Sequence, residues 1–244
     1  MTTTNCEEIE TSAVSRLETT NYDSPSKLED FYFSNDRERK KLSDIVYGRK
    51  KFPYASVNGI LLWGTFGSGK TTLARLLPSL IEQHAYAVSD AKPFFASDAK
   101  TMGHFIDCRN AQRGSETMKQ LEKTLNTFCF FSKSRYHYVI LDEVDNLTAL
   151  TQRTLKSIMN VKNAVFILTT NYANRLDGGV FDRCHWIEMS GANDEELVLL
   201  ALRIANERGV VLDDNDIADV VQRSNGSMRR FLNGIDDLVL EAEQ

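Results

Sequence analysis

Five short apolar runs alternate with segments of helical periodicity, and this alternation constrains the fold of the 244-residue chain more than any other feature. Strands that alternate with helices indicate a parallel sheet covered on both faces. Fully buried parallel strands read as nearly continuous apolar runs, as "YVIL" and "VFIL" do here. We therefore predict an α/β fold with a five-stranded parallel sheet. The predicted strands are residues 59–63, 103–108, 136–142, 164–170 and 185–189.

Segments with helical spacing separate the predicted strands. Pro78 lies inside the first of them and should kink that helix or end it early. After residue 190 the strands stop and three further helices follow, the first of them with Gly209 placed as its C-cap. The helices predicted between the strands cover residues 71–83, 115–128 and 147–160.

This pattern divides the chain into three predicted parts. Residues 1–27 are polar and form a flexible N-terminal arm. Residues 28–189 form the α/β core, and residues 190–244 form a small helical lid domain.

Composition excludes several classes of function. The 29 basic and 34 acidic residues give a net charge of −5, so any contact with nucleic acid must come from a local patch. The four cysteines form no CxxC pair and the four histidines are scattered, so no zinc template appears. No signal-peptide core and no apolar stretch of ~18 residues is present. We predict free thiols, no membrane span, no secretion, and a cytoplasmic location, or a nuclear one in a eukaryote.

The stretch "GTFGSGKT" follows one predicted strand, opens a helix and fits the pattern G-x-x-x-x-G-K-[ST]. Its glycines let backbone N–H groups turn towards phosphate oxygens, and the helix N-terminus adds the positive end of its dipole. Lys70 would reach the β- and γ-phosphates of ATP, and the Thr71 hydroxyl would hold Mg²⁺. The alternative is a glycine-rich structural turn. The predicted nucleotide-binding residues are Gly64, Thr65, Phe66, Gly67, Ser68, Gly69, Lys70, Thr71, Thr72 and Asp142.

Two adjacent carboxylates end the predicted strand in "YVILDEVDNL". Asp142 would orient Mg²⁺ together with Thr71, and Glu143 would polarise an attacking water. The alternative is that the pair merely marks where a strand meets solvent. The predicted metal site is therefore Thr71 and Asp142.

Four stretches together resemble an AAA+ ATPase, and more narrowly the clamp-loader branch, the replication factor C small subunits. They are "GTFGSGKTT", "ILDEVDNL", "ILTTNYANRLDGGVFDRC" and "GSMRRFLN". Their order matches the Walker A, Walker B, sensor 1, arginine-finger and sensor 2 series of that family. The stretch "NAQRGSETMKQLEKTL" also resembles the family's "NASDERG" region, and the likeness covers roughly residues 28–240.

The resemblance implies roles for three further residues. Asn171 resembles sensor 1, which helps to position the hydrolytic water, and Arg229 resembles the sensor 2 arginine, with Arg230 as the alternative. Arg183 occupies the place of the arginine finger, which enters the ATP site of the neighbouring subunit, although Asp182 replaces the family's serine.

Structural roles remain open for the same residues. Asn171 could be a turn residue at a strand end. Arg183 could form a salt bridge with Asp182 or Glu188, and either Arg229 or Arg230 could pair with an acidic residue. The candidate acidic partners for Arg229 and Arg230 are Asp236 and Asp237.

Contacts with the base and with nucleic acid are less specific. The aromatic residues at positions 31–33 could contact adenine or could be ordinary core residues. The resemblance places DNA-backbone contacts in the "NASDERG" segment and in the helix after Walker B, where solvated surface side chains are the alternative. The candidates for those contacts are Arg109, Arg113, Lys119, Arg153 and Lys156.

The resemblance implies a Mg²⁺-dependent ATPase that assembles with other AAA+ subunits, identical or not, and acts on DNA in a clamp-loader-like way, with a sliding clamp as a further candidate partner. ATP would lie between core and lid, and between one subunit and the next. Two departures are that no counterpart of the family's collar domain follows the lid and that Phe66 replaces a frequent proline. The alternatives are a helicase-loader, transposition or defence ATPase, and a nucleotide switch without turnover.

Overall fold

The computed structural model describes residues 25–87, 103–109, 114–127, 129, 132 and 134–243. Within this part the chain forms two compact units. The core unit comprises Asn35–Gly64 and Lys70–Glu188. The helical unit comprises the residues from 25 to Ser34, the loop segment Thr65–Gly69 and the residues from Met189 onward. Most of the predicted N-terminal arm, residues 1–24, lies outside the described residues.

The core unit contains a five-stranded parallel sheet in the order β2-β3-β4-β1-β5, which confirms the predicted fold class. Every residue of β3 and β4 is buried, because helices cover both faces of these central strands. Each strand begins and ends within one residue of its predicted bounds. The strands are β1 (Gly59–Trp63), β2 (Gly103–Asp107), β3 (His137–Asp142), β4 (Ala164–Thr170) and β5 (Cys184–Glu188).

The strand register aligns the amino ends of the strands at one edge of the sheet and their carboxyl ends at the other. Gly59 pairs with Phe166 of β4 and with Cys184 of β5, so the first residues of β1 and β5 are neighbours. A side chain at Gly59 would collide with the Cys184 sulfur, which explains why glycine stands there. The Asn58 side-chain amide donates to the Met159 carbonyl at 2.9 Å and thereby ties β1 to the segment before β4.

The described part of the core unit contains five α-helices. Apolar side chains of three of them pack on the sheet around Leu61, Val139 and Phe166. The prediction that Pro78 would end its helix early is wrong, because α2 continues to Ala87. Pro78 removes one backbone donor, and we attribute the continuation to the burial of neighbouring apolar residues of α2. The helices are α1 (Asp36–Val46), α2 (Lys70–Ala87), α3 (Gly114–Leu125), α4 (Ala149–Ile158) and α5 (Gly178–Phe181).

The helical unit contains α6 (Asp194–Arg208), α7 (Asp214–Ser224) and α8 (Met228–Ala242). Asn193 caps α6 by accepting from the Glu196 N–H at 2.7 Å, while the Glu196 carboxylate accepts from the Asn193 N–H. Gly209 ends this helix with a φ of +72°, which confirms its prediction as the C-cap. The apolar faces of the three helices meet around buried residues that include Leu200, Ile217, Phe231 and Ile235.

Two further predictions from composition can be checked on the described residues. Cys108, Cys129 and Cys184 are free and buried there, and burial raises the pKa of the Cys108 thiol to about 12. Cys6 lies outside the described residues. Within the same residues no helix has the length and apolar character that crossing a membrane requires.

Candidate active site

The glycine-rich loop joins the carboxyl end of β1 to the first residue of α2. Gly64, Gly67 and Gly69 have φ values of +138°, +74° and +88°, which glycine adopts readily and other residues rarely do. Lys70 begins α2, is 7% exposed and donates from Nζ to the Gly64 carbonyl at 3.2 Å. The buried ammonium therefore lies at the point where the chain leaves β1, as a phosphate-binding lysine requires.

Two hydroxyl groups converge on the buried carboxylate of Asp142 at the end of β3. Thr71 Oγ1 donates to Asp142 Oδ1 at 2.7 Å, and Thr169 Oγ1 donates to the same oxygen at 2.6 Å. Asp142 is 5% exposed, and both of these partners are neutral. A buried carboxylate that has only neutral donors is costly, and a cation at its second oxygen would offset that cost. Thr71 and Asp142 thus fit Mg²⁺, which prefers oxygen ligands and commonly takes one or two carboxylates plus phosphate oxygens.

Glu143 follows Asp142 in a left-handed backbone conformation, with φ +56° and ψ +53°. Such a conformation costs free energy in a residue other than glycine and persists where surrounding contacts hold it. Here the Glu143 N–H donates to Thr169 Oγ1 at 3.0 Å. One hydroxyl of β4 therefore joins the backbone of Glu143 to the carboxylate of Asp142, and the left-handed turn re-aims the Glu143 side chain.

The Glu143 carboxylate lies towards the β2 side of the sheet. Asn146 Nδ2 donates to Glu143 Oε2 at 3.2 Å, and Arg109 Nε lies 3.9 Å from the same oxygen. Arg109 follows β2 and donates to the Asp107 carboxylate from Nη2 and Nε, at distances that include 2.6 Å from Nη2 to Oδ2 and 2.9 Å from Nε to Oδ1, and from its backbone N–H at 3.0 Å. These hydrogen bonds hold the pKa of Asp107 below its ordinary value. Arg109, predicted as a DNA contact, is thus already engaged beside Glu143.

Asn171 directly follows β4 and lies next to the loop. Thr170, the last residue of β4, pairs with Trp63, the last residue of β1, so Asn171 is level with Gly64. Asn171 is half-buried, and its side chain makes no hydrogen bond to the residues that the structure describes. The neighbouring Thr170 hydroxyl donates to Asp145 at 2.6 Å. The register thus places Asn171 next to the start of the loop, and its sensor 1 role stays a prediction.

Arg183 lies at the opposite end of the sheet. Its carbonyl accepts from the Gly59 N–H at 2.9 Å, at the amino end of β1. Its Nη1 donates to the Gly179 carbonyl at 2.8 Å, and its Nε and Nη2 donate to Asn160 Oδ1 at 3.2 and 3.0 Å. Among the described residues neither Asp182 nor Glu188 forms an ion pair with it, so the salt-bridge alternative is wrong there.

The helical unit places Arg229 against the middle of the loop. The Arg229 N–H donates to the Gly67 carbonyl at 3.4 Å, and a side chain at Gly67 would collide with the Ser227 hydroxyl. Ser227 also caps α8 by accepting from the Arg230 N–H at 3.4 Å. Both arginines are exposed and have no ion pair with Asp236 or Asp237 in the described part, where Asp236 lies 3.8 Å from Arg208.

The remaining candidates are scattered over the surface or buried. Phe31, Tyr32 and Phe33 are buried in the helical unit, and Tyr32 belongs to its apolar cluster. Lys119 on α3 and Arg153 on α4 are exposed, which suits contacts with nucleic-acid phosphates. The structure thus brings none of these side chains into the group around Asp142. Of the other candidates, Lys156 lies 3.8 Å from Asp177, and Arg113 lies outside the described residues.

Sequence reasoning missed Thr169, which is the residue that connects Asp142 to Glu143. A signal was present, because β4 ends in two threonines after an apolar run, and both are buried. A buried hydroxyl needs a partner, and in the sheet the carboxyl end of β4 lies between β3, which ends in Asp142, and β1. The pairing with Asp142 could have been inferred on that ground.

Known proteins share the sequence pattern and the fold. Replication factor C small subunit 1 of Pyrobaculum aerophilum is 28% identical over 211 residues, which cover 83% of this chain and 60% of that protein. Replication factor C small subunit 1 of Pyrobaculum arsenaticum is 28% identical and covers 71% of this chain and 49% of that protein. The corresponding subunit of Methanosphaera stadtmanae is 27% identical and covers 73% and 51%. The chain therefore spans half to three fifths of the length of these relatives.

Solved structures agree on the fold. The Thermotoga maritima RuvB Holliday junction branch migration motor has a TM-score of 0.63 to this chain at 18% identity, over 91% of this chain and 72% of that one. This likeness concerns the fold alone. A model of the AAA family, the ATPase family associated with various cellular activities, matches residues 60–191. Since that match covers more than half of the sequence, the chain belongs to the AAA family of ATPases.

Proposed function

We propose that this protein is a Mg²⁺-dependent ATPase that hydrolyses ATP at subunit interfaces and uses the cycle to load or remodel protein on DNA in a clamp-loader-like way. The observation that carries the proposal is the position of Arg183 relative to the phosphate loop of its own chain. Family membership and similarity to replication factor C small subunits support the same proposal.

Arg183 cannot serve the loop of its own chain. The Gly59 N–H binds the Arg183 carbonyl at the amino end of β1, whereas the loop begins after Trp63 at its carboxyl end. These two residues are four positions apart, which is about 13 Å along the strand. The guanidinium also points away from the loop, towards Asn160 and Gly179 at the amino edge. If Arg183 acts on a γ-phosphate, that phosphate must therefore be bound by another subunit. Arginine fingers supplied in this way raise the rate by ~10³–10⁵ in the systems where they are best measured.

The carboxyl edge provides the remaining parts of the reaction. Lys70 and the loop N–H groups would bind the β- and γ-phosphates, and Thr71 and Asp142 would hold Mg²⁺, which neutralises developing charge on the phosphate oxygens when bound. Glu143 would orient the attacking water, and Asn171 would hydrogen-bond that water or a phosphate oxygen. Arg229 would sense the γ-phosphate from the helical unit, as the sensor 2 resemblance implies.

The proposed use on DNA rests on surface charge. Lys119 and Arg153 are exposed basic residues, and phosphate contacts from such residues are blind to sequence and sensitive to salt. The proposed partners are therefore other AAA+ subunits, DNA, and a sliding clamp or another replication protein, with a cytoplasmic location, or a nuclear one in a eukaryote. Binding to a sliding clamp would separate the clamp-loader proposal from a helicase-loader or transposition ATPase.

The test is particle mass against nucleotide for the wild type and for Arg183→Ala, with the ATPase rate recorded on the same samples. We expect the wild type to assemble with a slowly hydrolysed ATP analogue and to turn over ATP. Arg183→Ala should lose about 10³-fold or more of that turnover. Arg223→Ala, which removes an exposed arginine paired with Asp219 on α7, serves as the matched control and should behave as the wild type.

Two results would contradict the proposal. A monomer that hydrolyses ATP at the wild-type rate in the Arg183→Ala variant would make this arginine structural. An assembled wild type that binds ATP without turnover would favour a nucleotide switch instead of an enzyme.

A further inference from the structure

A cavity of about 390 Å³ lies at the amino edge of the sheet, within the core unit. Two helices and the starts of two strands form its apolar floor, which includes Ile45 of α1, Ile81 of α2, Tyr138 of β3 and Val165 of β4. We call it the amino-edge cavity. Pockets that bind small molecules measure roughly 300–1,000 Å³ and have mostly apolar walls with a few polar groups. The amino-edge cavity therefore has the size and the floor of a site for a small molecule.

A buried carboxylate braces the wall of the cavity between α2 and β3. Glu82 of α2 is 1% exposed, and the Tyr138 hydroxyl donates to its Oε1 at 2.7 Å. The Ser134 hydroxyl donates to the same oxygen, and the Ser134 N–H donates to Oε2 at 3.2 Å. Burial and the Glu82 charge raise the pKa of Tyr138, so its hydroxyl remains a donor. Since Tyr138 and Ser134 both line the cavity, the carboxylate is already engaged by groups of the wall.

The loop after α1 gives the cavity a basic rim. Lys50 and Lys51 line the cavity, are exposed and have no ion pair with a carboxylate in the part of the chain that the structure describes. The Lys50 backbone N–H donates to the Asp44 carbonyl at 2.7 Å, which ties this loop to the last turns of α1. Burial, followed by the charges of Lys50 and Lys41, lowers the pKa of His185 on the neighbouring strand β5. The rim thus carries positive charge that the described residues do not neutralise.

Two further polar groups of the cavity are open to a ligand. Gly48 has a φ of +67°, and a side chain there would lie 2.9 Å from the His84 ring, so the glycine turn lets the loop pack against this histidine. The His84 ring also meets the edge of Tyr47, with 6.0 Å between centroids. Neither the His84 ring nitrogens nor the Tyr136 hydroxyl has a hydrogen-bond partner among the described residues, and both side chains line the cavity.

We infer that the amino-edge cavity binds a small organic anion, with the ring of the ligand on the apolar floor and its anionic group against Lys50 and Lys51. The floor stabilises a ring by removing it from water, and two lysines without a carboxylate can form charge-assisted hydrogen bonds to an anion. His84 and Tyr136 offer hydrogen bonds to its other polar atoms. The inference does not rest on the proposed function, because the cavity and the phosphate loop lie at opposite edges of the sheet.

The test is a titration of the full chain with 2-naphthoate and with its neutral counterpart 2-naphthamide, followed by methyl NMR of Ile45, Ile81 and Val165. We expect 2-naphthoate to shift these signals saturably with a dissociation constant of about 1 mM or lower, as a ligand of this size can reach. 2-Naphthamide should bind about tenfold more weakly, since it offers the lysines no charge. A slowly hydrolysed ATP analogue at saturation should change the affinity for 2-naphthoate by less than about twofold.

Three variants show which residues select the anion. The double variant Lys50→Met with Lys51→Met should weaken 2-naphthoate by about tenfold and leave 2-naphthamide within about twofold. Lys119→Met removes an exposed cation of α3 outside the cavity lining and is the matched control, which should change neither affinity. Ile81→Trp fills the cavity and should abolish the binding of both probes. Far-ultraviolet circular dichroism and thermal unfolding report whether each variant is folded.

Several outcomes would overturn the inference and leave the proposed function untouched. The cavity takes no such anion if its methyl signals do not shift at about 5 mM 2-naphthoate. Equal affinities for the two probes, or unchanged 2-naphthoate binding in the double lysine variant, would show that the lysines do not select charge. Displacement of 2-naphthoate by the ATP analogue would assign the binding to the phosphate loop. If Ile81→Trp does not fold, the double lysine variant and its control decide the question.

Discussion

The two ends of the same five strands carry different chemistry. The carboxyl end has a phosphate loop, the buried carboxylate of Asp142 held by two hydroxyls, and Glu143 in a left-handed turn. The amino end has a guanidinium, that of Arg183, whose hydrogen-bond partners are the neutral groups of Asn160 and Gly179. One end thus gathers carboxylates beside a glycine-rich loop, and the other holds a guanidinium whose partners in the described part of the chain are neutral.

Under the proposed function, this difference means that neither end forms a complete ATPase site. A phosphoryl transfer needs positive charge on the oxygens that become more negative in the transition state. Lys70 is a buried cation at the loop. Arg183, which resembles the arginine finger, lies at the amino end of the sheet, about 13 Å away along the strand. Stacking two copies head-to-tail would bring the two ends together, which is the physical reason why assembly and turnover should be coupled.

A large effect is expected from changing the carboxyl end alone. Glu143→Gln keeps the side-chain shape but removes the group that polarises water, so turnover should fall by about 10²–10⁴. Nucleotide binding and assembly should remain, because Lys70, Thr71, Asp142 and Arg183 are unchanged. The measurement is steady-state turnover together with the affinity for a fluorescent ATP analogue. Glu122→Gln on α3, an exposed glutamate, is the control, and equal losses of rate in both variants would contradict the assignment.

A smaller effect should follow from removing the hydroxyl that joins the two carboxylates. Thr169→Val leaves the Glu143 N–H without its partner and Asp142 with one donor, which should lower the free energy of unfolding by ~1–3 kcal/mol. Turnover should fall by about tenfold as the left-handed turn at Glu143 loosens. Thr169→Ser restores the hydroxyl and should recover most of both losses. If the serine variant were as impaired as the valine variant, the hydroxyl would not be the cause.

The smallest effect concerns the side of the sheet towards which Glu143 is held. Arg109→Met removes the cation near Glu143 Oε2, so the Glu143 carboxylate is no longer held towards β2. Because the carboxylate is then free to move towards the loop, the ATPase rate without DNA should rise, by at most about fivefold. The same change should raise the pKa of Asp107 towards its ordinary value, which a carbon-detected NMR titration of Asp107 can measure.

The sign of the accompanying stability change is set by that pKa. The pKa of Asp107 is lower in the folded state than in the unfolded state. The interaction of Asp107 with Arg109 therefore stabilises the fold above the unfolded pKa of about 3.9, and this stabilisation is lost as the pH falls through the folded pKa. The difference in melting temperature between wild type and Arg109→Met should therefore be constant near neutral pH and shrink below about pH 4. Lys119→Met, which removes a different exposed cation, is the control and should change neither the pKa of Asp107 nor the ATPase rate without DNA. If Lys119→Met changed either of them, the effect of Arg109→Met would come from the net charge of the protein and not from the contact with Asp107 and Glu143.

The strands were predictable from the sequence for a simple physical reason. Strands buried on both faces must be apolar at nearly every position, so β3 and β4 stand out as runs with sharp polar ends. The phosphate loop was predictable because its glycines need positive φ, which leaves a spacing that few other structures require. The placement of Asp142 at a strand end beside that loop followed from the same pattern.

Other features depend on contacts that no local pattern records. Pro78 was expected to kink its helix or end it early, and the early end did not occur because the packing of α2 outweighs the local preference. The short distance between Arg109 and Glu143 required the pairing of β2 with β3. The exposure of Trp186 could not be inferred either. An aromatic residue in a predicted strand is expected to be buried, and only the strand order shows that β5 lies at an edge of the sheet.

The most direct test of the central claim is to mix two inactive variants, one damaged at each end of the sheet. Arg183→Ala retains the carboxyl end, and Glu143→Gln retains the amino end. Each alone should have almost no turnover, and an equimolar mixture should recover up to about one quarter of the wild-type rate, because an intact arginine then faces an intact loop across the interface. A mixture that stays inactive, with both variants folded and assembled, would contradict the claim that Arg183 completes the site of a neighbouring subunit.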